Sequence, residues 1–191
     1  ATHRMVGAAG AILLAVGLLA RAVHLLGRQP GAGGDLCADW GKAVGLEGMA
    51  GGQAVDVAAS GRLRGAARRL HRTKSTLLPA FALAAGARTA GAGPETCRGL
   101  GRFGRDLGWA YQLVDDAQDL EEDARLGRGP GGRDPLAQSR RIMARARSRL
   151  EAVPDLDPEG LETVIGLAGH VVVWPVDLSV NTRPRVHTGR H

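Results

Sequence analysis

A chain of 191 residues is long enough for one domain with a sizeable core and marginal for two. Its formal charge of +6 comes almost wholly from arginine, because Lys42 and Lys74 are its only lysines. The charge is mostly spread through an Ala- and Gly-rich chain with 3% aromatic residues, which excludes the usual nucleic-acid modules, and no nucleic-acid partner is expected. Cys37 and Cys97 lie far apart in no metal-ligand pattern, so a reducing, cytoplasmic setting is the simplest compartment.

Met5 to Ala20 carries no charge and is flanked by Arg4 and Arg21. It is shorter than a membrane span of about 20 residues and lacks a convincing cleavage site, so neither stable membrane insertion nor a signal peptide is favoured. Its small residues predict a buried core helix continuing to about Leu26. Gly27 to Gly34, with Pro30, breaks the chain into a loop. Asp35 is placed to cap the next helix, and Asp39 reads as a surface residue. Gly45 to Asp56 runs from a glycine cluster into an apolar stretch, the mark of a helix junction with closely approaching backbones. No strand precedes it, so it is not a dinucleotide fingerprint.

After a basic linker around residues 62–69, His71-Arg-Thr-Lys74-Ser75 leads into a helix through Leu77, Leu78, Phe81 and Leu83. That helix ends at the glycine-rich break between Gly86 and Pro94. Taken alone, Lys74 is an ordinary surface lysine. In a chain this short of lysine, its small hydroxyl neighbours also make it a candidate phosphate ligand.

Leu100, Phe103, Leu107, Ala110, Val114 and Ala117 then recur every three or four residues, the pattern of a helix with one buried face. At roughly 100° per residue, Gln112, Asp115, Asp116 and Asp119 fall within a sector of about 100° on another side, with Gly108 one turn earlier. Three carboxylates this close repel one another unless a cation sits between them, and hard oxygen ligands are what Mg²⁺ prefers. A solvated acidic helix end remains the alternative, although it opposes the helix dipole. Residues 135–152 and 158–170 read as amphipathic helices separated by Pro154 and Pro158. Val171 to Pro175 suits an extended segment, and Arg183 to His191 is a basic tail.

Three motifs in order form a resemblance: Gly48-Met-x-x-Gly-Gln53-x-x-Asp56, His71-x-x-Lys74-Ser75, and Phe103-Gly-x-x-x-Gly-x-x-Tyr111-Gln112-x-x-Asp115-Asp116-x-x-Asp119. Together they resemble the trans-isoprenyl diphosphate synthase (polyprenyl synthetase) family, the third motif being similar to its second aspartate-rich motif. The resemblance implies an all-α bundle of packed helices around a central cavity over residues 1–173, followed by a tail at 174–191. Relative to the family the chain is incomplete at its N-terminus or shortened, because the first aspartate-rich motif would lie upstream of residue 1. The resemblance further implies that Asp115, Asp116 and Asp119 bind Mg²⁺ and that Lys74, Gln112 and Arg128 contact the substrate diphosphate, Lys74 and Gln112 counting as catalytic. A homodimer is the usual assembly. The implied reaction ionises an allylic isoprenyl diphosphate and condenses it with isopentenyl diphosphate to a longer prenyl diphosphate. A terpene cyclase of the same fold and a noncatalytic partner subunit stay open beside it.

Overall fold

The computed structural model describes the backbone of residues 2–58, 65–125, 134–153 and 156–171, and the side chains of these residues except 65–69, 71, 118–125 and 170–171. Among them run seven helices and no strand: α1 (His3–Gly27), α2 (Gly33–Val44), α3 (Met49–Ala58), α4 (Gly65–Thr89), α5 (Pro94–Arg125), α6 (Pro135–Glu151) and α7 (Pro158–Val171). The expected all-α class is the observed one. Val171, read from the sequence as the start of an extended segment, is instead the last residue of α7; the rest of that segment, residues 172–175, and the tail from 174 lie outside the described residues.

The long helix α5 is the axis. Its apolar stripe at three- and four-residue spacing buries Leu100, Phe103, Leu107, Ala110 and Val114 against Ala146 and Leu150 of α6 and Ala168 of α7. Helix α6 starts where Asp134 caps it, accepting from the Ala137 N–H at 3.0 Å with Pro135 in the first turn. Its buried Ser139 hydroxyl donates to the Ala110 carbonyl at 3.0 Å, so the α5–α6 contact carries a satisfied polar group as well as apolar area. Arg147 of α6 reaches Glu162 of α7 at 2.8 Å and ties the last helix down at the surface.

An adjoining side of α5 lies on α4, and the two backbones touch. A Cβ on Gly104 would stand 2.5 Å from the Pro79 carbonyl oxygen, and one on Gly108 would collide with the Ser75 carbonyl. Pro79 sits inside α4 and has no N–H to give the carbonyl four residues back, which is that of Ser75. The carbonyl that the proline leaves without its helical donor is therefore the one that faces Gly108. Gly108→Ala is expected to wedge the helices apart and lower stability by about 1–3 kcal/mol, the usual cost of overpacking. Chemical denaturation would measure it; an unchanged midpoint would mean that the seam is looser than this.

Two shorter helices flank α4. Trp40 of α2 packs edge-on to Phe81 of α4 with ring centroids 5.5 Å apart, and Asp39 pairs with Arg88 at 3.3 Å. Asp39 is thus an inter-helix partner, where the sequence suggested a plain surface residue. Asp35 does not cap α2 either: the helix already begins at Gly33, which places Asp35 within its first turn.

The largest correction concerns α1. Its apolarity predicts a core helix, yet it contains no buried residue, and Met5, Ile12, Leu13, Val16 and Leu18 are all more than half exposed. Its contacts are with α2, where Gly33 comes within 2.5 Å (from a Cβ position) of the Gly27 carbonyl. By length and composition α1 is also apolar enough to cross a membrane. Periodicity and composition state that a surface seeks cover; they do not state what covers it.

Candidate active site

The α4–α5 seam assembles the polar groups that the motifs singled out. Ser75 follows Lys74 on α4, and its hydroxyl donates to Gln112 Oε1 on α5 at 2.7 Å. The other end of the same amide, Gln112 Nε2, donates to Asp116 Oδ1 at 2.8 Å. Gln112 is 6% exposed, so an unpaired amide there would carry a desolvation cost of about 1–3 kcal/mol. Both its ends are satisfied, and the result is a short hydroxyl–amide–carboxylate chain that fixes one oxygen of a half-buried aspartate. Asp115, the next residue round the helix, is exposed.

Lys74 is oriented from a third helix. Gly52 of α3 has no Cβ, which would otherwise lie 2.5 Å from the Lys74 backbone nitrogen, and this close approach brings α3 onto α4. One turn on from Gly52, Asp56 then meets Lys74 Nζ at 2.7 Å. The lysine side chain is 16% exposed, a partly desolvated ammonium held by a carboxylate. Thr73, its neighbour, lies with Oγ1 2.8 Å from the Gly48 carbonyl and 2.6 Å from that of Leu70, locking the start of α3 against α4. Arg72 stacks over the Trp109 ring at 4.0 Å on the same seam.

The sequence placed Lys74, Gln112, Asp115 and Asp116 in one site, and the structure joins the elements that carry them. It pairs Lys74 with Asp56, however, and turns both ends of the Gln112 amide toward protein groups. Asp56 as the lysine's partner was missed. Its only sign in the sequence was its place four residues after Gly52 and three after Gln53. The Asp119 side chain and Arg128 lie outside the described residues. Among the described residues no three His, Cys, Asp or Glu side chains converge as a metal set. Asp115 and Asp116 fit a hard divalent cation as far as they go: both offer carboxylate oxygens, and only one oxygen of Asp116 is taken up by Gln112.

The same faces of α4 and α5 continue away from the carboxylates into a half-open cavity of about 800 Å³, bordered by α2. Leu77, Phe81 and Ala84 of α4 and Leu36 of α2 supply apolar wall. Arg105, seven residues before Gln112 and so about 10 Å along the helix, also lines it. The hollow thus joins apolar walls to a charged lining of Lys42, Arg88, Arg98, Arg102 and Arg105 with Asp39 and Glu47.

The polyprenyl synthetase family profile matches residues 1–135. Among relatives, the farnesyl diphosphate synthase of Geobacillus stearothermophilus is 33% identical over 138 residues, covering 68% of this chain and 46% of that one. The chloroplastic geranylgeranyl pyrophosphate synthase of Catharanthus roseus is 27% identical over 190 residues, covering 88% of this chain and 53% of that enzyme. The chain thus spans about half the length of these curated relatives. In fold it is similar to the apo structure of an FPP/GFPP synthase from Zymomonas mobilis, with a TM-score of 0.71 at 24% identity over 89% of this chain and 63% of that one. The seam of glycines, lysine, glutamine and aspartates lies within the span that the family profile matches, and the chain belongs to the polyprenyl synthetase family.

Proposed function

We propose that this chain serves Mg²⁺-dependent prenyl transfer, in which an allylic isoprenyl diphosphate is ionised and condensed with isopentenyl diphosphate to a longer prenyl diphosphate. The observation that carries it is the part-buried Ser75–Gln112–Asp116 chain, which fixes a carboxylate on α5 from the helix that bears Lys74. Relatives named as farnesyl and geranylgeranyl diphosphate synthases support the same substrate class.

We assign the roles from the family resemblance together with the contacts of Ser75, Gln112 and Lys74. Asp115 and Asp116, with Asp119 on the same side of the helix by sequence spacing, would hold the cation. Mg²⁺, when bound, supplies Lewis-acid neutralisation of the charge that develops on the departing diphosphate. Gln112 acts as a positioning residue, holding Asp116 in one rotamer, and Ser75 in turn holds Gln112. Lys74 exchanges Asp56 for a diphosphate oxygen, a more highly charged partner for the same ammonium. As the allylic C–O bond breaks, its electron pair leaves with the diphosphate. The double bond of isopentenyl diphosphate then forms the new carbon–carbon bond, and the cation it generates loses a proton. The apolar walls at Leu77 and Phe81 keep water from the cationic carbon. Geranyl diphosphate with isopentenyl diphosphate and Mg²⁺ should give a longer prenyl diphosphate and nothing when the metal is chelated. A cyclic hydrocarbon formed without isopentenyl diphosphate would assign a cyclase instead, and no diphosphate release under any condition would assign a noncatalytic subunit.

The bare apolar surface of α1 fits a second copy of the chain, and we take the working form to be a homodimer. Met5, Ile12, Leu13 and Val16 would otherwise stay in water, at about 25 cal/mol per Å² of apolar area left uncovered. Light scattering should show a dimer that Leu13→Asp dissociates. A monomer unaffected by that change, or one that partitions onto neutral vesicles, would contradict this. Cys37 and Cys97 are both free thiols, in keeping with a cytoplasmic home.

A further inference from the structure

Helices α5 and α6 present two rows of arginine on one side of the molecule. On α6, Arg141, Arg145 and Arg149 recur every four residues, share one flank of the helix and are exposed. On α5, Arg98, Arg102 and Arg105 stand four and three residues apart and are exposed as well. The rows adjoin where Arg149 donates to Asp106 at 3.1 Å, and Arg102 and Arg149 line one small hollow between the helices beside Glu95. Asp106 answers Arg149. Arg98, Arg102, Arg105, Arg141 and Arg145 have no carboxylate within ion-pair distance among the described residues. Like charges at this spacing repel one another, and an anionic partner relieves that repulsion.

The chemistry of the face narrows the partner. Tyr111 is the exposed large hydrophobic residue described on these two helices, and it lies nine residues from Arg102, half a turn round α5. Among the described residues the face therefore has no apolar centre of the kind on which a protein partner is anchored. Trp109, four residues on from Arg105, is half-buried with its ring engaged by Arg72 at 4.0 Å, and so is not presented to stack a nucleic-acid base. What remains is a two-helix surface of separate guanidinium groups, each matched to a phosphate. Clusters of about four to eight basic residues on a helical surface are those that recognise acidic lipid headgroups. We infer that the α5–α6 face is a peripheral docking surface for an anionic lipid bilayer, on which the chain rests by its arginines without inserting. This surface is separate from α1, whose exposed side chains are apolar, and it does not rest on the prenyl-transfer reading.

The test is cosedimentation of the full chain with vesicles of phosphatidylcholine alone and of phosphatidylcholine mixed equally with phosphatidylserine. Binding is expected to the mixed vesicles only, and it should fall steeply with added NaCl. Arg141→Gln with Arg145→Gln should weaken it by about 25-fold, since each arginine near an anionic surface is worth a factor of about five. Both side chains are exposed and unpaired, so the helical spectrum should be retained. Arg21→Gln with Arg140→Gln removes the same charge elsewhere, from α1 and from the side of α6 away from Arg149, and should cost about twofold or less. If the first variant does not fold, Arg102→Gln with Arg105→Gln tests the other row in the same way. Equal losses in the face variant and the control would mean that net charge alone acts, and would overturn the inference. So would equal binding to neutral vesicles, which assigns the contact to the apolar side chains of α1. It is also overturned if the mixed vesicles are not bound, or if duplex DNA at the same phosphate concentration binds as tightly. Displacement by inorganic phosphate beyond the effect of NaCl at equal ionic strength would assign a free-anion site in its place.

Discussion

Asp115→Asn combined with Asp116→Asn is expected to abolish the rise in thermal midpoint that Mg²⁺ and an unreactive allylic diphosphate analogue together produce in the parent chain. A ligand at about 100 times its dissociation constant adds roughly 2.7 kcal/mol to the native state, which for a chain of this size is a rise of roughly 5–10 °C. Without ligand, the double variant should melt at the parent's temperature or somewhat above it, since two adjacent like charges are relieved. The substitution is also quiet structurally: an amide in place of the Asp116 carboxylate keeps an oxygen that accepts from Gln112 Nε2, so the part-buried Ser75–Gln112 chain survives. A cluster with a purely structural role predicts the reverse, a shifted midpoint in the apo protein and the same ligand response in both chains.

Phe103→Ala should be the most damaging single change to the fold. The ring is 3% exposed at the centre of the contact between α5, α6 and α7, with Leu107, Leu150 and Ala168 in the same cluster. Truncation to Ala removes its transfer free energy and leaves a cavity that rigid helices close only partly, a loss of about 3–5 kcal/mol. For a chain of this length the midpoint should fall by roughly 6–20 °C. Leu46→Ala, at a side chain 81% exposed, serves as the control and should stay within about 0.5 kcal/mol. Equal losses at the two positions would mean that the core is not where α5 packs.

What the sequence made legible was the part written within one helix. The buried stripe of Leu100, Phe103, Leu107, Ala110 and Val114 follows from spacing alone, because a helix turns by a known angle per residue. The position of Gln112 beside Asp116 follows in the same way, and they are bonded at 2.8 Å. What was not legible depends on which helices meet. Nothing in the order of residues says that Ser75 faces Gln112, or that Lys74 is claimed by Asp56; both contacts exist because Gly108 and Gly52 let backbones approach to within touching distance. The misreading of α1 has the same origin. An apolar helix is written identically whether its cover is its own domain or another molecule, and here its own domain covers only the side along α2.

Prenyl transfer at this site requires that the α4–α5 seam hold a divalent cation against a diphosphate. The direct measurement is a crystal structure of the chain with Mn²⁺ in place of Mg²⁺ and an allylic thiodiphosphate, read by anomalous scattering. An anomalous peak is expected at about 2.0–2.2 Å from carboxylate oxygens of Asp115 or Asp116, with Lys74 Nζ moved from Asp56 to a diphosphate oxygen. Lys74 still paired to Asp56, with the metal elsewhere or absent and the diphosphate bound only by arginine, would contradict it.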